Sequence, residues 1–227
     1  MNACPCTFPA DPARRAHFIS QQDGSLMTAM KNVKSLKLYI VIMILVVVPV
    51  AYFWFIWWPE QEWLAFENHY LNIMKNLKSP ESKANVTSWF QRDYNFTELY
   101  DWVHERLEFV PTNETFERHT DPVKIYKSGK GRCGEFSILY VSACLVHGYQ
   151  SRIVVAVDIS NPRKLYGLHT WAEVKLEGWV HVDPSDRLWN EPYRYEAGNW
   201  GKDIGSNVKI YAFEEGTYED VTLNYKQ

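Results

Sequence analysis

The sequence predicts an α+β domain, helices first and an antiparallel sheet after them, behind one N-terminal transmembrane helix. Three observations predict it. Residues 38–58, LYIVIMILVVVPVAYFWFIWW, run without a charge. From 59 to 147 the apolar residues recur at helical spacing. From 151 onward the pattern turns to β-branched runs separated by turn residues. Helices followed by a block of strands is the pattern of an α+β domain.

The elements follow in order. Residues 1–37 read as a disordered basic segment, and Met27 or Met30 would make a more usual start than Met1. The apolar run of 38–58 has the length of about 20 residues that a spanning helix needs, and a core helix is rarely apolar all round. Phe53, Trp54, Phe55, Trp57 and Trp58 at its end suit an interfacial aromatic belt. Arg14, Arg15, Lys31, Lys34 and Lys37 precede it, and Glu60, Glu62 and Glu67 follow. The positive side stays cytoplasmic, which sets 59–227 outside the cytoplasm. The sequons at Asn85, Asn95 and Asn113 agree with that address.

Pro59 can open a helix carrying Trp63, Phe66, Tyr70, Ile73, Met74 and Leu77, which Pro80 stops. Asn95 with Glu98 three residues on is a capping pair. The helix it starts carries Phe96, Leu99, Tyr100, Val103 and Leu107, with His104 off that stripe and facing solvent. A third helix runs from Cys133 to His147, ended by Gly148. Strands follow at 151–159, 169–176, 179–183, 207–213 and 220–225. Residues 59–120 are thus a helical lead-in to a core at 121–227.

Composition excludes some functions. The chain of 227 residues is 46% hydrophobic and 22% charged, as in ordinary folded proteins. A net charge of −3 gives no basic footprint for nucleic acid. Cys4, Cys6, Cys133 and Cys144 form no CxxC pair, so a four-thiolate zinc site is not expected. On one helix Cys133 and Cys144 would lie roughly 16 Å apart, beyond the roughly 7 Å a disulfide spans. Cys144, between Ala143 and Leu145, reads as core.

The hairpin at 169–183 brings chemistry together. A two-residue turn at Glu177 and Gly178 would mix apolar and charged groups on both faces. A three-residue loop at 176–178, with Gly178 left-handed, separates them. It pairs Lys175 with Trp179, Glu173 with His181, and Trp171 with Asp183. One face is then Thr170, Ala172, Val174, Val180 and Val182; the other gathers His169, Trp171, Glu173, His181 and Asp183. A sheet buried on one face demands that separation, because a one-residue slip inverts every side chain. His169 becomes the diagonal neighbour of Asp183, which can orient its ring. Glu173 is the expected partner of His181, and Trp171 is more a packing than a substrate residue. The four polar side chains His169, His181, Glu173 and Asp183 also allow a metal site as a lesser alternative.

Cys133 stands between Gly131 and Gly134 at a helix start, beside Arg132 and Glu135. A helix N-terminus and a nearby imidazolium favour the thiolate. The Cys133 amide can donate to a developing oxyanion. Arg132 is expected to solvate the helix start, and Glu135 to complement the dipole.

GRCGEFS, then HTWAEV 36 residues after the cysteine's own position, then WVHVDPSD, resemble the Cys-His-Asp core of the transglutaminase-like superfamily, most nearly its peptide:N-glycanase branch. EPYRYEAGNWGKDIGSNVKIYAF and DVTLNY resemble that branch as well, so the likeness spans about Asp121 to Tyr225. Two CxxC pairs usual in that branch are missing, and Phe136 replaces a usual Trp. The resemblance implies a papain-like fold with Cys133, His169 and Asp183 as a triad, without a metal or other cofactor. Together with the apolar run of 38–58, which departs from the usual cytosolic enzyme of that branch, it implies a membrane-anchored thiol amidase, peptidase or acyl transferase acting on peptide or glycopeptide amides through a thioester. The rival reading is a membrane-anchored binding module that keeps the fold without turnover. Gly198 and Trp200 would rim the cleft.

Overall fold

The computed structural model describes residues 38–160, 166–185, 188–189 and 207–225. Expectations for 1–37, for Gly198 and for Trp200 lie outside these residues. The chain divides into two units, 1–57 and 58–227. In the first, the described residues are helical and end in a π-helical turn, Phe53–Trp57, where the Phe53 and Trp57 rings stack 4.8 Å apart. Among the described residues, Leu38–Leu77 is the one helix long and apolar enough to cross a membrane.

The second unit opens with α1 (Trp58–Leu77), which buries Ile73, Met74 and Leu77. Pro80 ends it, as expected, but also begins α2 (Pro80–Thr87). Ser79 caps this second helix, its hydroxyl accepting from the Ser82 N–H at 3.2 Å. α2 buries only Val86 and so leaves no apolar stripe in the sequence. α3 (Phe96–Arg106) starts from the expected capping box: Asn95 Oδ1 accepts from Thr97 and Glu98 N–H at 3.0 and 2.9 Å, and Glu98 accepts from Asn95 N–H at 2.8 Å. His104 does not face solvent. Its ring is partly buried, 5.0 Å from that of Tyr100 and 5.8 Å from that of Phe136, because the later helix carrying Phe136 packs across this side.

A short parallel pair, β1 (Glu108–Phe109) with β2 (Lys130–Gly131), brackets α4 (Pro122–Ser128). Then comes α5 (Cys133–Val146), buried without a break from Glu135 to Cys144. A helix enclosed on all sides shows no amphipathic stripe. Gly148 at φ 82° closes it; its N–H donates to Leu145 O at 3.4 Å and the Tyr149 N–H to Cys144 O at 3.0 Å. These are the two bonds of a glycine C-cap.

The sheet contains β3 (Ser151–Asp158), β4 (Tyr166–Lys175), β5 (Trp179–Asp183), β6 (Leu188–Trp189), β7 (Val208–Glu214) and β8 (Thr217–Asp220), all antiparallel, in the order β6-β5-β4-β3-β7-β8. Ile153, Val155, Ala172, Val174 and Val182 join the core built around α5. Val154, Ala156, Trp171, Ile210 and Tyr225 form a second core on the other face. The hairpin register is the expected one: Lys175 pairs with Trp179, Val174 with Val180, Glu173 with His181 and Ala172 with Val182. Gly178, however, is not left-handed; among the described residues the positive-φ glycines are Gly129, Gly148 and Gly216. The loop closes instead through the Leu176 N–H donating to Gly178 O at 2.9 Å. Segregation of the two faces therefore sets the register without help from a special glycine.

The last strand also differs. Gly216, at φ 75°, turns the chain so that Thr217–Asp220 forms β8, and Thr222–Tyr225 becomes a 3-10 turn. Asp220 stops the strand by accepting from the Thr222 N–H at 2.9 Å and from its hydroxyl. Tyr225 then folds onto the sheet, so the polar face of the hairpin is buried too: Trp171 and Asp183 are 0% exposed.

Candidate active site

GRCGE is a set of packing and hydrogen-bond requirements around the first turn of α5. Glu135, 1% exposed, accepts from the Arg132 N–H at 3.1 Å, from Arg118 Nε and from the His119 N–H at 3.3 Å. Arg132 does not merely solvate the helix start. Its guanidinium donates to the carbonyls of Val110, Pro111 and Glu114 at 3.2, 2.9 and 2.5 Å. The two side chains lash the 110–119 loop to the helix tip. Gly131 is needed because a Cβ there would stand 2.6 Å from Glu135 Cβ, and a Cβ on Gly134 would stand 3.0 Å from the Arg118 guanidinium and press on it.

Cys133 is the first residue of α5 and is partly exposed, whereas Cys144 is buried; both are free thiols. Burial pushes the Cys144 thiol up to about 12. The Ser137 hydroxyl lies 2.7 Å from Cys133 O and 3.0 Å from Thr170 O, so its proton is shared between the helix tip and the strand that carries His169.

Across this junction His169 hydrogen-bonds through Nε2 to Asp183 Oδ2, near enough to Cys133 for the thiol to bear on its proton. Asp183 Oδ1 accepts from the Ser185 N–H and hydroxyl at 2.9 and 2.7 Å. Burial pulls the His169 imidazole down, but the bonds to Asp183 and Cys133, with their charges, outweigh it and raise it to about 10. His181 has the opposite fate: burial dominates and lowers it to about 4, against the Asp183 charge.

Glu173 lies opposite His181 in the register, but its oxygens serve others. Oε2 accepts from Arg152 Nε at 2.6 Å and Oε1 from the Tyr225 hydroxyl at 2.5 Å. Trp171 Nε1–H donates to that same phenol at 2.8 Å. Trp171 also lies nearly parallel to His169, centroids 5.8 Å apart, and Arg152 stacks 3.9 Å over Trp179. This relay, together with the absence of a three-ligand His/Cys/Asp/Glu cluster among the described residues, leaves no convergent metal site from the four polar hairpin residues. Arg118 and Arg152 meet these residues without any motif to mark them, and Tyr225 is marked only as the end of DVTLNY. Only the charge of Arg152 inside a β-branched run hinted that a buried partner faces it.

The helices and antiparallel sheet that carry this thiol and this imidazole–carboxylate pair fit a transglutaminase-like core, and residues 82–184 match the family described as the transglutaminase-like superfamily. The likeness to a peptide:N-glycanase core holds in the relatives. The chain is 32% identical over 143 residues to the peptide-N(4)-(N-acetyl-beta-glucosaminyl)asparagine amidase of Arabidopsis thaliana, covering 62% of this chain and 17% of the relative. It is 30% identical over 175 residues to that of Homo sapiens, covering 74% and 24%. The chain thus spans a quarter or less of the length of these relatives. Among solved structures, Rad4-Rad23 crosslinked to undamaged DNA is similar at a TM-score of 0.56 and 10% identity, covering 75% of this chain and 48% of that one. That likeness concerns the fold alone.

Proposed function

We propose that this chain is a membrane-tethered cysteine amidase with Cys133 as nucleophile, His169 as general base and then acid, and Asp183 as the group that orients the imidazole. The observation that carries the reading is a free thiol in the first turn of α5, tied through Ser137 to the strand whose His169 is bonded to a fully buried carboxylate. His169 draws the thiol proton, the sulfur attacks an amide carbonyl, and the amine leaves with that proton. The thioester then passes to water or to a second amine. Trp171, Glu173 and His181 act behind the triad by fixing the strand face from which His169 projects. The catalytic core is 121–227, with 59–120 as its helical lead-in.

Two supports bear on substrate and address. The named relatives are asparagine amidases of glycosylated peptides, which favours the amide of a glycosylated asparagine. The basic residues before the apolar helix and the acidic ones after it favour a single pass with the N-terminus cytoplasmic and the domain outside. Glycopeptide, isopeptide and plain peptide amides, offered side by side to the full chain in detergent, test the reading. Release of amine from the glycopeptide, abolished in Cys133→Ser, is the expected result. Amine incorporation in place of hydrolysis would make it a transferase, and full biological function in Cys133→Ala would make it a binding module.

A further inference from the structure

One donor for a developing oxyanion is present at the thiol, the backbone N–H of Cys133; acyl-transfer sites ordinarily converge more than one. A cavity of about 420 Å3 opens beside Gly134, walled by Tyr70 and Ile73 of α1, Arg118 of the lashed loop, and Glu135 and Thr170. Arg118 is already engaged on Glu135. Tyr70 comes from a helix that lies ahead of the matched 82–184 span. Its ring stacks on Phe213 with centroids 5.0 Å apart and meets Phe66 at 5.1 Å, which fixes where the phenol ends. The hydroxyl lies 3.7 Å from the position a Cβ on Gly167 would take, and beside the side chain of Thr170, the residue after His169. Gly134, the residue after Cys133, lines the same cavity as Tyr70. Burial, and then the charges of Cys133 and Glu135, raise the phenol above its ordinary value, against the Thr170 bond and Arg118. At neutral pH it is a proton donor.

We propose that Tyr70 is the second oxyanion donor of this site, a catalytic residue supplied by α1. The inference rests on the thiol reading above. When Cys133 Sγ, its proton passed to His169, bonds to the amide carbon, the carbonyl π pair moves to oxygen. That oxygen accepts from the Cys133 N–H and the Tyr70 hydroxyl. As the C=O re-forms, the C–N bond breaks, and the amine takes the proton from His169. The remaining thioester is hydrolysed to acid and thiol.

The test compares wild type and Tyr70→Phe, as full chains in detergent micelles, in two reactions of Cys133 and in thermal unfolding. Acylation by p-nitrophenyl acetate passes through an oxyanion; alkylation by iodoacetamide, a displacement at carbon, does not. Tyr70→Phe is expected to slow acylation about 10²–10³-fold, while alkylation stays within about twofold and the Tm is unchanged. Acylation at the wild-type rate, or acylation and alkylation falling together, would overturn the assignment. If wild-type Cys133 alkylates no faster than an ordinary thiol, the thiol reading itself fails and takes this assignment with it.

Discussion

Two imidazoles share one face of the β4–β5 hairpin and are driven in opposite directions. His169, held by Asp183 and Cys133, is raised to about 10, and His181, mastered by burial, is lowered to about 4. For His169 the folded value exceeds the unfolded one. Its stabilisation is therefore complete below about pH 6.5 and is lost as the pH climbs through 10. The gap in urea midpoint between wild type and Asp183→Asn should accordingly be wide at about pH 6 and narrow by about pH 10.5; a gap independent of pH would contradict the pairing. For His181 the folded value is depressed, so its contribution holds above about pH 6.5 and fades as the pH falls to about 4. Tyr225 is a different kind of residue, a phenol serving both Glu173 and Trp171. Tyr225→Phe leaves a buried carboxylate oxygen and an indole N–H without that partner. A loss of about 1–3 kcal/mol in chemical unfolding is expected, and no loss would show that the relay is not formed. That Cys133 heads a helix and that His169 meets Asp183 were legible, because a thiol between glycines, an imidazole and an acid are rare types in telling positions. Tyr70 and Tyr225 were not, because an aromatic at helical or strand spacing reads as core.

Individual elements carry the next lesson. The hairpin register could be derived from one demand, that apolar residues share a face, and it emerged from the Lys175–Trp179 pair to the Ala172–Val182 pair. The conformation of Gly178 could not, because a loop hydrogen bond satisfies the same register with ordinary backbone. Two glycine substitutions separate these roles. Gly178→Ala meets nothing within 4 Å and needs no positive φ, so thermal unfolding should shift by less than about 0.5 kcal/mol. Gly131→Ala drives a Cβ to 2.6 Å from Glu135 and should cost about 1–3 kcal/mol while loosening the lashed loop. Equal effects would mean that the helix tip is not packed as described. α2 escaped the sequence pattern because a helix that buries one valine has no stripe, and β8 because Gly216 turns the chain earlier than hydrophobicity suggests.

At the scale of the whole molecule, an α+β unit at 58–227 follows a segment of lipid-compatible helix. In sealed vesicles with the cytoplasmic face outward, added protease is expected to trim the basic N-terminal segment and spare 58–227. Digestion of the domain before detergent is added would reverse the orientation. The Asn side chains at 85, 95 and 113 are all exposed, so glycan attachment at any of them in a eukaryotic secretory host would agree with protection. The chemistry turns on neither membrane nor glycan but on the reactivity of the sulfur at the tip of α5. It is tested most directly by the second-order rate of iodoacetamide labelling at neutral pH, located by mass spectrometry, in wild type and His169→Ala. The account predicts rapid, selective labelling of Cys133 that drops at least about tenfold in the variant; labelling at the pace of an ordinary thiol, or a rate that His169→Ala leaves untouched, would contradict it.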